Sequence, residues 1–293
     1  MEEQQNVIAN GICGNFGDNL TWELYDTGEL VISGTGEMEE FVYSAPWRKK
    51  DLLPLITSVT IKPGVTSIEF TAFSACASVK SIIIPEGVSF IGWGAFNGCE
   101  ALESINIPNS VDDIADAAFE GCSALPVVDN IRYADTCAVE AVGKTLSTYT
   151  LREGTRYICG GAFKNCIKLT HITIPESVVC IGGSAFQFCL SLKDINIPQG
   201  VTCIYDETFY ACSALENIKI PKSVIFIGEG AFCDCTSLKS ITIPDSVTSF
   251  GKGIFMGCSA LVQVQGTHGD DLSWLLSDTG GIDDSLLDPF ESP

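Results

Sequence analysis

The chain is poor in basic residues, and this shortage excludes several classes of partner. Its 293 residues include 16 Lys and Arg against 37 Asp and Glu, so the formal net charge is −21. Nucleic acids and anionic membrane surfaces are bound by clustered positive charge. We therefore expect no nucleic-acid partner. We also expect no membrane insertion, because no apolar run reaches the roughly 18 residues of a membrane span.

The first residues, MEEQQNVIANG, lack the basic and apolar segments of a secretion signal. We expect either a cytoplasmic protein or one whose leader lies outside this sequence.

Residues that carry catalysis are also scarce. Only two histidines occur, His171 and His268, and no Ser–His–Asp arrangement or phosphate-binding glycine loop can be assembled from the sequence. The pair Cys233 and Cys235 has no second pair at zinc-site spacing. We expect no enzyme, no metal and no cofactor. Calcium binding by Asp270–Asp271 or Asp283–Asp284 is an open alternative, without the loop spacing of an EF-hand.

What the chain does contain is a 23-residue repeat, P-x-x-V-x-x-I-G-x-x-A-F-x-x-C-x-x-L-x-x-I-x-I, with the last Ile of one unit directly before the proline position of the next. Counting from the proline as position 0, we call each unit a coil. Position 11 forms the Phe column, which comprises Phe73, Phe96, Phe119, Phe163, Phe186, Phe209, Phe232 and Phe255. Position 14 forms the Cys column, which comprises Cys76, Cys99, Cys122, Cys166, Cys189, Cys212, Cys235 and Cys258.

The spacing within a coil predicts its local structure. The L-x-x-I-x-I stretch matches the leucine-rich-repeat signature, a short strand with inward side chains at positions 17, 20 and 22. The V-x-x-I-G stretch predicts a second short extended segment, and A-F-x-x-C-x-x-L predicts a helical or 3₁₀ turn. Stacked coils bury a continuous core. The fold class is therefore a β-rich leucine-rich-repeat solenoid.

We interpret the Cys column as buried free thiols, since a thiol is small, apolar and a weak donor. A disulfide between Cys180 and Cys203, which share position 5 of consecutive coils, is an alternative.

Irregular segments divide the chain. We predict an N-terminal cap at residues 1–56, with a hairpin turning at Thr27–Gly28. Coils follow at 57–130 and 152–266. Residues 131–151 are interpreted as a degenerate coil with a protruding hairpin that turns at Gly143–Lys144. Residues 267–293 are an acidic tail or a C-terminal cap.

The coils, for example IPESVVCIGGSAFQFCLSLKDINIP, resemble the BspA-type leucine-rich repeats. TWELYDTGELVISGTGEM and RYADTCAVEAVGKTLSTYTLREGT resemble other segments of that family. The resemblance covers roughly residues 10–266. It implies a secreted or surface-exposed protein of gut or oral bacteria, with adhesion to host or cellular macromolecules as one role.

Outward side chains of the main strand offer the candidate contact surface for a protein or glycan ligand. They are small and polar, whereas interface hot spots favour aromatic residues and arginine. Aromatic alternatives are Tyr133, Tyr149, Tyr205, Tyr210 and Trp93. The candidate contact residues at positions 19 and 21 are Ser104, Asn106, His171, Thr173, Asp194, Asn196, Asn217, Lys219, Ser240 and Thr242.

The sequence therefore favours a non-enzymatic binding or adhesion module. The alternatives are a structural spacer with no ligand on its repeats and, more remotely, an enzyme with an unrecognised site.

Overall fold

The computed structural model describes residues 5–15, 17–41, 44–266 and 275. The described chain divides into two compact units, one from Met1–Val128 with Arg132–Val139 and the other from Asp129–Ile131 with Glu140–Pro293. Both units consist of coils of roughly 23 residues, about nine in total, and contain almost no helix. The predicted solenoid is confirmed.

The first unit opens with three antiparallel strands and continues with parallel ones. Its strands are β1 (Val7–Gly14), β2 (Gly17–Tyr25), β3 (Glu29–Gly34), β4 (Ser58–Ile61), β5 (Ser67–Ile68), β6 (Ser81–Ile83), β7 (Phe90–Ile91), β8 (Ser104–Ile105), β9 (Asp113–Ile114) and β10 (Val127–Val128). The next two strands, β11 (Ile131–Ala134) and β12 (Cys137–Ala141), have residues in the ranges of both units. In the main sheet of the first unit the strand order is β1-β2-β3-β4-β6-β8, and in its second sheet β5-β7-β9. A 3₁₀ helix, Leu53–Leu55, precedes the first coil.

The second unit repeats the coil with shorter ladders. Its strands are β13 (Thr148–Thr150), β14 (Tyr157–Ile158), β15 (His171–Thr173), β16 (Cys180–Ile181), β17 (Cys203–Ile204), β18 (Phe226–Ile227), β19 (Ser240–Ile243), β20 (Ser249–Phe250) and β21 (Gln263–Gly266). The parallel pairs are β13 with β15, β14 with β16, β17 with β18, β18 with β20, and β19 with β21.

The A-F-x-x-C stretch forms hydrogen-bonded turns. The amides of Ala72 and Cys76 donate to the carbonyl oxygens three residues earlier, whereas the amide of Phe73 donates to the carbonyl oxygen of Ala95 in the next coil. On the turn side of this coil, amides that donate to the next coil thus alternate with amides that donate three residues back within the same coil.

Two residues per coil have a left-handed backbone, at positions 9 and 13. Glycine adopts this conformation freely, but several coils place other residues there, such as Ala117 (φ 57°) and Phe188 (φ 59°). Position 9 is Gly253 (φ 58°) in the last coil. Glycine is therefore not required by the sequence pattern, although the geometry favours it.

The Phe column is a buried stack within each unit. The Phe73 and Phe96 ring centroids are 5.8 Å apart, and those of Phe209 and Phe232 are 5.4 Å apart. All eight Phe side chains are at most 4% exposed. The predicted spine of identical side chains is confirmed in each unit.

The Cys column is buried beside this stack. The Cys99 thiol donates to the carbonyl oxygen of Phe73 in the preceding coil, at 3.2 Å. The same bond recurs at Cys122, Cys189, Cys212, Cys235 and Cys258. In these six coils the thiol thus acts as a hydrogen-bond donor as well as a small buried side chain.

Aromatic side chains lie at the beginning of both Phe stacks. Trp47 stacks on Phe73 with centroids 5.4 Å apart, and its indole N–H donates to the carbonyl oxygen of Ala72 at 2.9 Å. Tyr149 packs edge-on against Phe163 at 5.4 Å. The predicted Thr27–Gly28 hairpin is confirmed as β2–β3.

The hairpin predicted at Gly143–Lys144 is wrong. The turn between neighbouring strands lies at Asp135–Thr136, joining β11 to β12. Asp135 has a left-handed backbone, which Asp tolerates, and its carboxylate accepts the Ile107 amide at 2.7 Å. Gly143 (φ 69°) instead lies in the turn after β12, before a strand of another sheet.

Candidate binding surface

All ten side chains predicted as contact residues are exposed. Ser104 and Asn106 lie in the first unit, and the other eight lie in the second. Their inward neighbours are buried: Ile195 is 6% exposed and Ile241 is 3% exposed. The alternation arises because successive residues of an extended segment point to opposite faces.

The ladders bring some of these residues together. An isolated parallel bridge pairs Asn196 with Lys219, so positions 21 of two consecutive coils adjoin. His171 and Thr173 lie on β15, opposite Thr148 and Thr150 of β13. The contact residues therefore form rows across neighbouring coils.

Two of the ten already have partners in the protein. The Asn106 amide donates to the Ile84 carbonyl oxygen at 2.6 Å, and its oxygen accepts the Ile84 amide at 2.9 Å. The His171 Nδ1 lies 3.0 Å from the Thr170 hydroxyl. The Asn106 side chain thus makes the two hydrogen bonds with Ile84 that a paired strand would otherwise make, so it is less available to a partner.

A depression of about 490 Å³ lies within the second unit, on this outward surface. Its apolar lining includes Ile218, Ile220 and Ile241, of which the last two are buried. Four of the ten candidates meet here, and two further polar residues join them. The polar lining comprises Gln199, Asn217, Lys219, Lys222, Ser240 and Thr242.

The main ladder is open at this depression. In the first unit β4, β6 and β8 pair continuously. In the second, residues 217–220 form no strand, and among the described residues no ladder pair joins them to β19. The Phe209 and Phe232 rings of the same two coils remain stacked at 5.4 Å. The two coils are thus adjacent in the core, although no strand ladder forms between residues 217–220 and β19.

The charge of the lining is positive although the chain is strongly acidic. Lys219 and Lys222 are its charged residues, and both are exposed. Lys239, in the neighbouring row at position 18, pairs with Glu216 at 3.8 Å. Among the described residues no ion pair within 4.0 Å engages Lys219 or Lys222. Their charge is therefore available to a ligand.

The aromatic alternatives divide into buried and accessible ones. Tyr133 and Tyr149 are 1% and 3% exposed, so the idea that they form a contact surface is wrong. Trp93 is 51% exposed. Tyr210 lies edge-on to Phe188, with centroids 5.4 Å apart. The sequence does not point to Phe188 as a surface aromatic residue, because position 13 of the coil is not one of the repeat's apolar positions.

Among the described residues, the other candidates for chemistry do not assemble into a metal site or a disulfide. The described residues contain no group of three or more His, Cys, Asp or Glu side chains placed to hold a metal ion. All fourteen cysteines are free thiols, Cys180 and Cys203 included. Burial raises the pKa of Cys76 and of Cys258 to about 12, so these thiols are unreactive at neutral pH. His268 and the proposed calcium ligands Asp270, Asp271, Asp283 and Asp284 lie outside the described residues, as does the predicted tail apart from Leu275.

In the described part of the chain, no helix is both long and apolar enough to cross a bilayer.

Comparison with known protein families finds one family that matches the repeats of this chain. The family described as BspA type leucine rich repeat region matches six copies, over residues 53–134 and 142–262. The chain belongs to the BspA-type leucine-rich-repeat family. Leucine-rich repeats commonly serve as protein-interaction modules and are typically non-enzymatic. No curated protein matches the chain.

Solved structures of bacterial leucine-rich-repeat proteins are similar to this BspA-type chain. A leucine-rich repeat protein from Bacteroides ovatus is 33% identical over 85% of this chain and 63% of its own, with a TM-score of 0.44. This chain thus spans less than two thirds of that relative. A leucine rich cell surface protein from Faecalibacterium prausnitzii is 21% identical over 96% of this chain and 100% of its own, with a TM-score of 0.49.

Proposed function

We propose that this chain is a non-enzymatic binding module that contacts a host or cell-surface macromolecule through the outward side chains of its main strands. The observation that carries the proposal is the meeting of Asn217, Lys219, Ser240 and Thr242 around one depression. Concave sites with a few convergent polar groups are the usual places where ligands bind.

A bacterial surface is the proposed location. The similar protein from Faecalibacterium prausnitzii is described as a cell surface protein. We propose the same for this chain, with adhesion as its role. A protein partner is favoured over a glycan, since the rows carry small polar and charged side chains, with His171 as their one ring.

Solid-phase binding to purified extracellular-matrix proteins and to epithelial cells tests this function. The variants are Ser240→Arg and Thr242→Trp, both in the depression, and the matched control is Ser259→Trp, an exposed position on the turn side of the same unit. We expect the first two to lose binding while the control and all melting temperatures stay unchanged.

The rival function, a structural spacer, makes the opposite prediction. A spacer needs only its stacked coils, so a bulky substitution on the outward strand surface would leave adhesion unchanged. Equal binding by wild type and both variants, or no binding by wild type to any of these probes, would favour the spacer.

A further inference from the structure

We propose that an exposed aromatic patch, formed by Phe70, Phe90 and Trp93, binds an arginine-bearing segment of a partner protein. All three residues lie in the first unit. None of them lines the depression that includes Lys219, so the patch is a contact surface beyond the proposed function.

The stacking of consecutive coils brings these side chains to one place. Phe70 and Trp93 hold position 8 of neighbouring coils, and the amide after Phe70 donates to the Trp93 carbonyl oxygen at 2.9 Å. The Phe70 and Phe90 ring centroids are 6.3 Å apart. Glycine at position 92 of the chain makes room for the Phe70 ring, since an added Cβ would come within 2.7 Å of it. Two adjacent coils thus build the patch.

The repeat does not require aromatic side chains at this place. Trp93 is 51% exposed and Phe70 is 41% exposed, so neither ring belongs to the core. In the second unit position 8 is filled by Gly160, Gly183, Asp206, Glu229 and Lys252. Exposed apolar clusters commonly mark sites of contact, and Trp is among the residues that contribute most to protein interfaces. The patch therefore has the composition of a contact site.

Acidic residues of the next coil lie beside the patch. Phe90 of β7 pairs with Asp113 of β9. The Gly94 amide, directly after Trp93, donates to the Asp116 carbonyl oxygen at 3.2 Å, so Asp116 follows Trp93 in the stack of coils. Asp113 and Asp116 are both exposed. A ligand that covers the Trp93 ring thus comes next to two acidic residues.

The other side of the patch is acidic as well, because Glu69 directly precedes Phe70. Burial raises the pKa of Glu69, and the neighbouring charges of Glu37 and Glu40 raise it further. Burial likewise raises the pKa of Asp113. A cation brought to these carboxylates favours their ionised form, so its binding offsets both the burial and the repulsion.

Arginine fits these surroundings better than other cations. Its planar guanidinium stacks on aromatic faces and forms paired hydrogen bonds with a carboxylate, whereas the lysine ammonium is a compact, strongly hydrated charge. Arg48 of the chain itself lies on the Thr71 side of the patch, where its guanidinium donates to the Thr71 carbonyl oxygen at 3.4 Å. The arginine of the partner therefore belongs over Trp93, on the side of Asp113.

Charge separates this ligand from its principal rival, a neutral glycan. The net charge of −21 attracts basic segments at long range. A neutral sugar would also pack on the exposed rings, but its binding would not depend on charge. The two ligand classes therefore differ in their response to salt and to neutralisation of the ligand.

The test uses a fluorescein-labelled peptide of repeated Gly-Leu-Arg units, measured by anisotropy with the full chain. We expect saturable binding that weakens as salt is added. The same peptide with citrulline in place of arginine keeps the shape but loses the charge, and it should bind about tenfold more weakly. Equal binding of the citrulline peptide, or no binding of the arginine peptide, would overturn arginine as the recognised group.

Variants of the chain locate the site. Trp93→Ala should weaken binding of the arginine peptide about fivefold, while Trp93→Phe, which keeps a ring, should retain most of the affinity. The matched control is Phe188→Ala, which removes a ring that is 37% exposed in the second unit. This control should bind the peptide like wild type.

A second pair of variants separates the patch from general attraction to an acidic protein. Asp113→Asn should weaken binding about threefold, whereas Glu153→Gln, at an exposed carboxylate of the second unit, should leave it unchanged. Equal losses in Asp113→Asn and Glu153→Gln, or in Trp93→Ala and Phe188→Ala, would overturn the patch as the binding site. Competition by maltohexaose as strong as that by unlabelled arginine peptide would instead assign the patch to a glycan.

Discussion

The Cys212 thiol donates a hydrogen bond to the carbonyl oxygen of Phe186, 3.2 Å away in the preceding coil. This contact links the two columns of the repeat, since the Phe column supplies the acceptor and the Cys column the donor. The Phe186 carbonyl oxygen also accepts the Cys189 amide at 3.1 Å, so the thiol occupies its second lone pair while satisfying its own buried S–H. Six of the eight column cysteines make this bond, which gives a physical reason for cysteine at position 14 in their coils.

The first prediction concerns the Phe column. Phe96→Ala should lower the free energy of unfolding by about 3–5 kcal/mol, because it leaves a cavity in the stack. Trp93→Ala, in the same coil but 51% exposed, should cost less than about 1 kcal/mol. Urea unfolding followed by circular dichroism measures both. Similar losses for the two variants would contradict the stack as the main source of stability.

The second prediction concerns the left-handed positions. Gly253→Ala should destabilise the protein by about 1 kcal/mol, because φ is 58° there while the new Cβ meets nothing closer than the Met256 Cβ at 3.8 Å. Ala117→Gly, at the same position of another coil, relieves this strain but adds freedom to the unfolded chain. We expect a small net gain in its melting temperature. A stabilising Gly253→Ala would refute the role assigned to the backbone.

The third prediction concerns thiol reactivity. Ellman's reagent at pH 8 should react quickly with the three half-buried thiols, Cys159, Cys180 and Cys203. The column thiols should react only after denaturation, since burial raises their pKa and hides them. The total in denaturant also checks the redox state, because a disulfide between Cys180 and Cys203 would lower the count by two.

The fourth prediction concerns alkaline pH. The pKa of Cys76 rises from 9.0 to about 12, because burial disfavours the thiolate. The folded state therefore binds the proton more tightly than the unfolded state. The resulting stability is complete below pH 9 and is lost as the pH rises from 9 towards 12, by about 1.4 kcal/mol per pH unit for one thiol.

The variant Cys76→Ser provides the control, since a serine hydroxyl does not titrate in this range. Its stability should fall less steeply than that of wild type between pH 9 and 11. Parallel curves for the two proteins would show that Cys76 titrates alike in the folded and unfolded states.

The sequence predicts the coils well because the residues that build them are almost invariant. Phe96 and Cys99 recur every 23 residues, and a core of stacked identical side chains tolerates little variation. The exposure of Lys219 and Ser240 follows from the same period, since outward positions alternate with the buried isoleucines.

Features that depend on backbone geometry were not predictable in this way. The left-handed residue at position 9 is glycine in some coils and Thr71 or Ser184 in others, so no single residue type marks it. The open ladder beside Lys219 has no signature either, because strand pairing depends on the relative placement of two coils. The hairpin was misplaced because Gly143 gives a stronger turn signal than Asp135.

The direction of the thiol bonds bears on how such a gene can change. In six of the eight column cysteines the sulfur reaches backward to the preceding coil, so duplicating or deleting one whole coil among these leaves each of their donors with an acceptor. An insertion of a few residues would misplace the donors that follow it. The length of the array, and with it the breadth of its outer surface, can thus evolve in whole-coil steps by recombination between copies.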